Sequence, residues 1–185
     1  MAIAANSVTL RGLSIALAGP IFVAIGIGIL DVWAVVNFPG SIFGVSSIYV
    51  GASMISIVAL SGRYSLVSGL YVGLLIAAFC TGRFTPFTPL LNLCNIVGAI
   101  PLILSSESIK KAGLNSKAGA VYFWVLAGPV QSALSALWFF VGISAISQID
   151  EGVLWSGIWA WVGGGIFVAT ALTLPLVLSA SIWRR

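Results

Sequence analysis

The chain has 185 residues, of which 60% are hydrophobic and only 6% are charged. Soluble domains carry about 25% charged residues, so this sequence cannot cover a water-facing surface and belongs to an integral membrane protein. Its formal net charge is +4, and it contains no histidine, which excludes His-ligated haem or zinc, Ser-His hydrolysis and a histidine proton relay.

The chain is long enough for six membrane spans with short connections, because a spanning helix needs about 20 apolar residues. The predicted spans are approximately 13–36, 41–60, 64–80, 89–104, 118–147 and 153–181. We therefore predict an all-α, polytopic membrane protein with a single six-helix transmembrane domain over residues 1–185. The start lacks the pattern of a cleavable signal peptide, so Met1 is expected to be the mature end.

The distribution of lysine and arginine predicts the orientation, since cytoplasmic connections are enriched in these residues. With a cytoplasmic N-terminus, the outer side carries Arg83 alone. The inner side then carries Arg11, Arg63, Lys110, Lys111, Lys117, Arg184 and Arg185. We predict that both termini are cytoplasmic and that the protein is a multi-pass protein of the cell membrane.

Residues 81–95, with the sequence TGRFTPFTPLLNLCN, interrupt the hydrophobic pattern. Pro86 and Pro89 lack an amide donor and disfavour helix in the residue before them. The stretch is therefore predicted to be a loop that leads into a helix, on which Asn92 and Asn95 share one face. Polar side chains within a membrane face protein or water rather than lipid.

Specific polar side chains gather in the half of the membrane that is predicted to be outer. The candidate ligand-binding residues are Asp31, Arg83, Asn92, Asn95, Gln131, Trp155 and Trp159. The inner half offers mainly hydroxyls, such as Ser56, Thr170 and Thr173, which can bond to their own helix backbone. This asymmetry predicts an outward-facing ligand pocket. In the alternative, the same groups lock helices together, with Asp31 paired to Arg83 and the amides forming interhelical hydrogen bonds.

Two further patterns concern helix geometry and thiols. The sequence Leu-Ala-Gly-Pro occurs at 17–20 and again at 126–129. The second proline leaves the carbonyl of Val125 without a helical partner, which predicts a kink. Cys80 and Cys94 flank the polar stretch and are interpreted either as buried single thiols or as an outer disulfide.

Small residues recur every four positions on the first predicted span, at Ala16, Pro20, Ala24 and Gly28. Faces of this kind let membrane helices approach closely. Ala16, Ala24 and Gly28 are therefore predicted to contact either the internal bundle or another membrane subunit.

Six spans, cytoplasmic termini, polar outer loops and the face Ala16-x-x-x-Pro20-x-x-x-Ala24 together resemble the substrate-binding S components of energy-coupling-factor (ECF) transporters. The proline departs from the alanine pair that is usual in that family. The resemblance implies that the protein captures a vitamin-like nutrient outside the cell and works with a membrane coupling subunit and two ATPases. The chain has no Gly-x-x-x-x-Gly-Lys-Ser/Thr loop, so it would not itself hydrolyse ATP.

The sequence therefore favours a small-molecule-binding membrane subunit of a transporter that takes solute from the outer side. The alternative is a non-catalytic structural subunit of a multisubunit membrane complex such as a respiratory complex, favoured by the scarcity of charge and of cofactor ligands. An enzyme is not expected, because the acid–base pair that most catalysis needs is missing. No cofactor, metal or nucleic acid is expected; the expected partners are the lipid bilayer and other membrane subunits.

Overall fold

The computed structural model describes residues 51–62, 64–80 and 82–182, together with Phe22, Ile25, Gly26 and Ile29. These residues are almost entirely helical, and no strand occurs among them. The three continuous stretches form helices that we number α1 to α5. They are α1 (Gly51–Leu60), α2 (Tyr64–Cys80), α3 (Thr88–Ala112), α4 (Lys117–Val125, Leu126–Val130 and Gln131–Ile146) and α5 (Glu151–Val168, Ala169–Thr173 and Leu174–Ile182).

The all-α class is confirmed, and three of these helices are long and apolar enough to cross a membrane: α3, α4 and α5. Helices α4 and α5 begin and end within two residues of the predicted spans 118–147 and 153–181. Helix α2 matches the predicted span 64–80, and α1 covers the second half of the span 41–60. The first predicted span, 13–36, lies outside the described residues except for four positions, so the count of six spans stays a prediction.

The predicted span 89–104 is too short as a helix, because α3 continues to Ala112 and leaves only residues 113–116 as a loop before α4. Lys110 bonds to Glu107 one turn earlier, at 2.8 Å, and basic residues are favourable in the last turn of a helix. Gly113 then ends the helix at a positive φ of 78°, which glycine adopts without strain. Hydrophilic residues alone did not mark the end of the helix.

A kink was predicted near Pro129, and the structure has a π-helical turn there, over Leu126–Val130. A second π-helical turn, Ala169–Thr173, precedes Pro175 in α5 and was not predicted. Proline removes one backbone N–H, and a widened turn is one way in which a helix accommodates the loss. The two turns contact each other, and a Cβ added at Gly128 would lie 3.1 Å from that of Ala169.

Helices α3 and α4 form an antiparallel hairpin. The Tyr122 hydroxyl donates to Ser105 Oγ (3.0 Å) near one end, and the Trp138 indole N–H donates to the Leu90 carbonyl (2.9 Å) near the other. Helix α5 packs on another face of α4, where Gly165 lies directly against Ser132. Phe123 of α4 is completely buried in the larger core, which also includes residues of α1, α2 and α3.

The two ends of the bundle differ in charge. Lys110 Nζ donates to the Ser61 carbonyl (3.2 Å), so the α1–α2 turn lies beside the end of α3. Among the described residues, this end carries Glu107 and three lysines, at 110, 111 and 117. The opposite end, where α3 begins and α4 ends, carries Arg83, Asp150 and Glu151.

Candidate functional site

The loop before α3 is held together by threonines. Thr88 Oγ1 accepts a hydrogen bond from the Thr85 amide (2.7 Å) and lies 3.0 Å from the Thr85 hydroxyl. The Tyr71 hydroxyl of α2 donates to the Pro89 carbonyl (2.8 Å) in the first turn of α3. Proline is favourable at the start of a helix because its missing N–H would be unpaired there in any case. The predicted loop followed by a helix is confirmed, and its contacts fix where α3 enters the bundle.

Asn95 lies two turns into α3 and is 8% exposed. Its side-chain amide makes no hydrogen bond with the residues that the structure describes. No fully enclosed side-chain nitrogen or oxygen among those residues lacks a partner, so the amide of Asn95 keeps some accessible surface. A buried polar group without a partner costs about 1–3 kcal/mol. Within the described ranges, therefore, no neighbouring helix uses the donors and the acceptor of Asn95.

Gln131 occupies the middle of α4, directly after the π-helical turn, and is 4% exposed. The Ser56 hydroxyl of α1 donates to Gln131 Oε1 (2.9 Å) and also lies 2.8 Å from the Ala52 carbonyl. The two ends of an amide are assigned from such contacts. Whichever end faces Ser56, the other makes no hydrogen bond with any residue in the described ranges.

Asn95 and Gln131, which we call the amide pair, lie close together. A Cβ added at Gly98 would be 3.2 Å from Gln131 Cγ. Asn95 is one turn before Gly98 on the same face of α3, where Cβ atoms are about 5–6 Å apart, so about 9 Å at most separates Asn95 Cβ from Gln131 Cγ.

The other predicted site residues do not all lie beside the amide pair. Asn92 is partly buried, one turn before Asn95, and Arg83 is exposed in the loop. Asp31 lies outside the described residues, so its pairing with Arg83 stays a prediction. Trp155 and Trp159 are 48% and 69% exposed, on the face of α5 away from its buried residues. The structure thus brings together Asn95 and Gln131 and leaves the two tryptophans on the outside of the described bundle.

Sequence reasoning missed the hydroxyl contacts that join helices. Ser53 of α1 and Thr173 of α5 are buried, with their oxygens 2.7 Å apart, and the Trp124 indole donates to Thr170 Oγ1 (2.8 Å). The predicted bonds of Ser56, Thr170 and Thr173 to their own helices are also present. Pro175 is the sequence feature that could have indicated these contacts. A proline disturbs the helical turn before it, and that turn of α5 carries Thr170 and Thr173.

Thiols and acidic side chains offer little further chemistry in the described part of the chain. Cys80 and Cys94 form no disulfide with each other; Cys94 is buried, as predicted for a single thiol, whereas Cys80 is exposed, so its predicted burial is wrong. No three histidine, cysteine, aspartate or glutamate side chains of the described ranges come together as a metal site.

Comparison with protein families, with curated proteins and with solved structures finds no match to this chain. The resemblance to ECF S components therefore stays a prediction.

Proposed function

We propose that the protein is a small-molecule-binding subunit of a membrane transporter and that the amide pair forms part of its solute site. The supporting observation is that two buried amides, Asn95 and Gln131, keep polar atoms that have no partner among the described residues. A side chain that only fastens helices pairs with its neighbour, as Ser53 does with Thr173. A solute that hydrogen-bonds to the amide pair would offset the free-energy cost of burying it.

The proposed orientation places the lysine-rich end of the bundle in the cytoplasm. Lys110, Lys111 and Lys117 lie at that end, and inner connections are enriched in basic residues. The loop 82–87 then faces the outside. Asn95 lies about 10 Å along the helix axis from the start of α3, so solute would reach the amide pair from the outer side.

Thiol labelling tests this orientation. In a background in which Cys80 and Cys94 are replaced by alanine, single cysteines are introduced at Thr85 and Asn115, both of which are exposed. A membrane-impermeant thiol reagent applied to intact cells should label Thr85→Cys and leave Asn115→Cys unlabelled. Both variants should react once the cells are permeabilised. Labelling of Asn115→Cys alone in intact cells would reverse the proposed orientation.

The solute site is tested by purifying the protein from its native membrane and identifying what is bound by native mass spectrometry. The wild-type protein should release a small molecule, and Asn95→Leu should release none. The matched control is Ile100→Leu, on the exposed side of the same helix, which should retain the molecule. Wild-type protein that carries no small molecule other than lipid and detergent would contradict the proposal.

A second candidate function is that of a structural subunit of a membrane complex. It is favoured by the exposed face of α5, which packs on no other described helix. Trp159, Gly163 and Phe167 recur every four residues there and are exposed, and no atom lies within 4 Å of a Cβ added at Gly163. An exposed glycine on a membrane helix permits close approach of another helix. Purification that yields stable protein partners and no small molecule would support this function. The predicted partner face at Ala16, Ala24 and Gly28 lies outside the described residues.

A further inference from the structure

We propose that the loop before α3, residues 82–87, anchors this end of the bundle in the membrane interface. Its phenylalanines would lie among the lipid carbonyl groups and the upper acyl chains of the adjacent leaflet. We call residues 82–87 the aromatic loop. Its surface is separate from the amide pair, so the anchor does not depend on the solute site.

The side chains of the aromatic loop continue the exposed apolar surface of the two helices that it joins. Ile76 and Phe79 are three residues apart on one face of α2, and they are 39% and 72% exposed. The Phe84 ring meets the Phe79 ring edge to face, with 6.1 Å between the ring centroids. Phe87 and Leu90, at the start of α3, are 47% and 45% exposed. Phenylalanine and leucine side chains of interfacial segments enter the boundary between headgroups and acyl chains, so a lipid leaflet fits this surface.

The backbone of the aromatic loop is suited to a place with little water. Three of its amides donate to acceptors in the last turns of α2 or in the first residue of α3, at 2.7–3.1 Å: those of Gly82, Arg83 and Thr85. Pro86 has no amide hydrogen to satisfy. Backbone donors without a partner cost several kcal/mol each in a bilayer. The loop therefore enters the interface at a lower free-energy cost than a loop whose amides depend on water.

The length of α3 sets the depth of the aromatic loop. The ammonium group of Lys110 is expected to lie no deeper than the edge of the hydrocarbon. Thr88, where α3 begins, lies about 33 Å from Lys110 along the helix axis. The hydrocarbon core is about 30 Å thick, and the bilayer with its headgroup regions is about 40–45 Å thick. With Lys110 at one edge of the hydrocarbon, the aromatic loop lies in the headgroup region of the opposite leaflet, whichever way the protein is oriented.

Spin labels test this placement. In the background without cysteine, a nitroxide label is attached to single cysteines at Phe84 or Phe87, with Ile76 as the lipid-facing control and Asn115 as the aqueous control. The full-length protein is reconstituted into vesicles of phosphatidylcholine and phosphatidylglycerol. Collisions of the label are measured with oxygen, which concentrates in lipid, and with a nickel chelate, which stays in water. The ratio of oxygen to nickel collisions at Phe84 and at Phe87 should lie several-fold above the ratio at Asn115 and close to that at Ile76.

Two results would overturn the anchor. Labels at Phe84 and Phe87 that meet the nickel chelate as often as the label at Asn115 would show that the loop stands in water. Labels that neither reagent reaches would show that protein, from this chain or from a partner subunit, covers the loop. The melting temperature of each labelled variant shows whether the bundle is intact, and if Phe84→Cys does not fold, the label at Phe87 decides.

Discussion

Replacing Gly98 with alanine should lower the free energy of unfolding by about 1–3 kcal/mol, the range for overpacking a tight contact. The same substitution in an unconstrained helix raises stability by about 1 kcal/mol, so the expected sign is reversed. The added Cβ would overlap Ser135 Oγ and lie 2.7 Å from the backbone carbonyl oxygen of Gln131. The serine side chain can rotate, but the carbonyl moves only if α3 and α4 separate.

The control is Gly163→Ala, where the new methyl group meets no atom within 4 Å. This variant should be as stable as the wild type or slightly more stable. Gly165→Ala, two residues further along α5, should instead be destabilised, because its Cβ would lie 2.6 Å from that of Ser132. The three variants are compared by reversible unfolding in mixed micelles. Equal stability of Gly98→Ala and Gly163→Ala would show that α3 and α4 do not pack as described.

The helices could largely be predicted from the sequence, because long apolar runs separated by glycine, proline and polar turns leave few alternatives in a membrane. The end of α3 could not, since Glu107 and Lys110 are polar residues that favour helix when they pair. The irregular turn at Pro129 was predictable from the missing amide. The turn before Pro175 had the same sequence signal and was not predicted. The contacts of its threonines with α1 and α4 could not be predicted, because only the folded chain brings these helices together.

For the candidate site residues, the position along each helix was predictable from the sequence, but the face on which each side chain lies was less so. Asn95 and Gln131 were expected near each other from their positions along their helices, and Gly98, one turn after Asn95, packs against Gln131. Trp155 and Trp159 were expected on the same site, but they face outwards. Helix α5 is apolar on all sides, so its sequence does not distinguish the face that packs on α4 from the face that meets lipid. The bond between Ser56 and Gln131 likewise depends on which helices become neighbours.

Replacing Asn95 with leucine should raise the free energy of unfolding of the solute-free protein by about 1 kcal/mol, the lower end of the cost of an unpaired buried polar group, because the amide keeps some accessible surface. Leucine has the same branched shape and number of heavy atoms, and it removes an amide that has no partner among the described residues. An amide that fastened helices would give the opposite result. Ser53→Ala provides that comparison, because it removes a hydroxyl that is paired with buried Thr173; it should lower stability by about 1 kcal/mol.

The most direct test of the solute site is the melting temperature of Asn95→Leu relative to the wild type, measured on protein freed of small molecules by exhaustive dialysis. Asn95→Val, which is smaller, is measured beside it so that a steric clash of leucine is recognised. The account predicts that at least one of the two variants melts above the wild type while neither is stabilised by solute. If both melt below the wild type, as Ser53→Ala should, Asn95 fastens helices and the amide pair is no solute site.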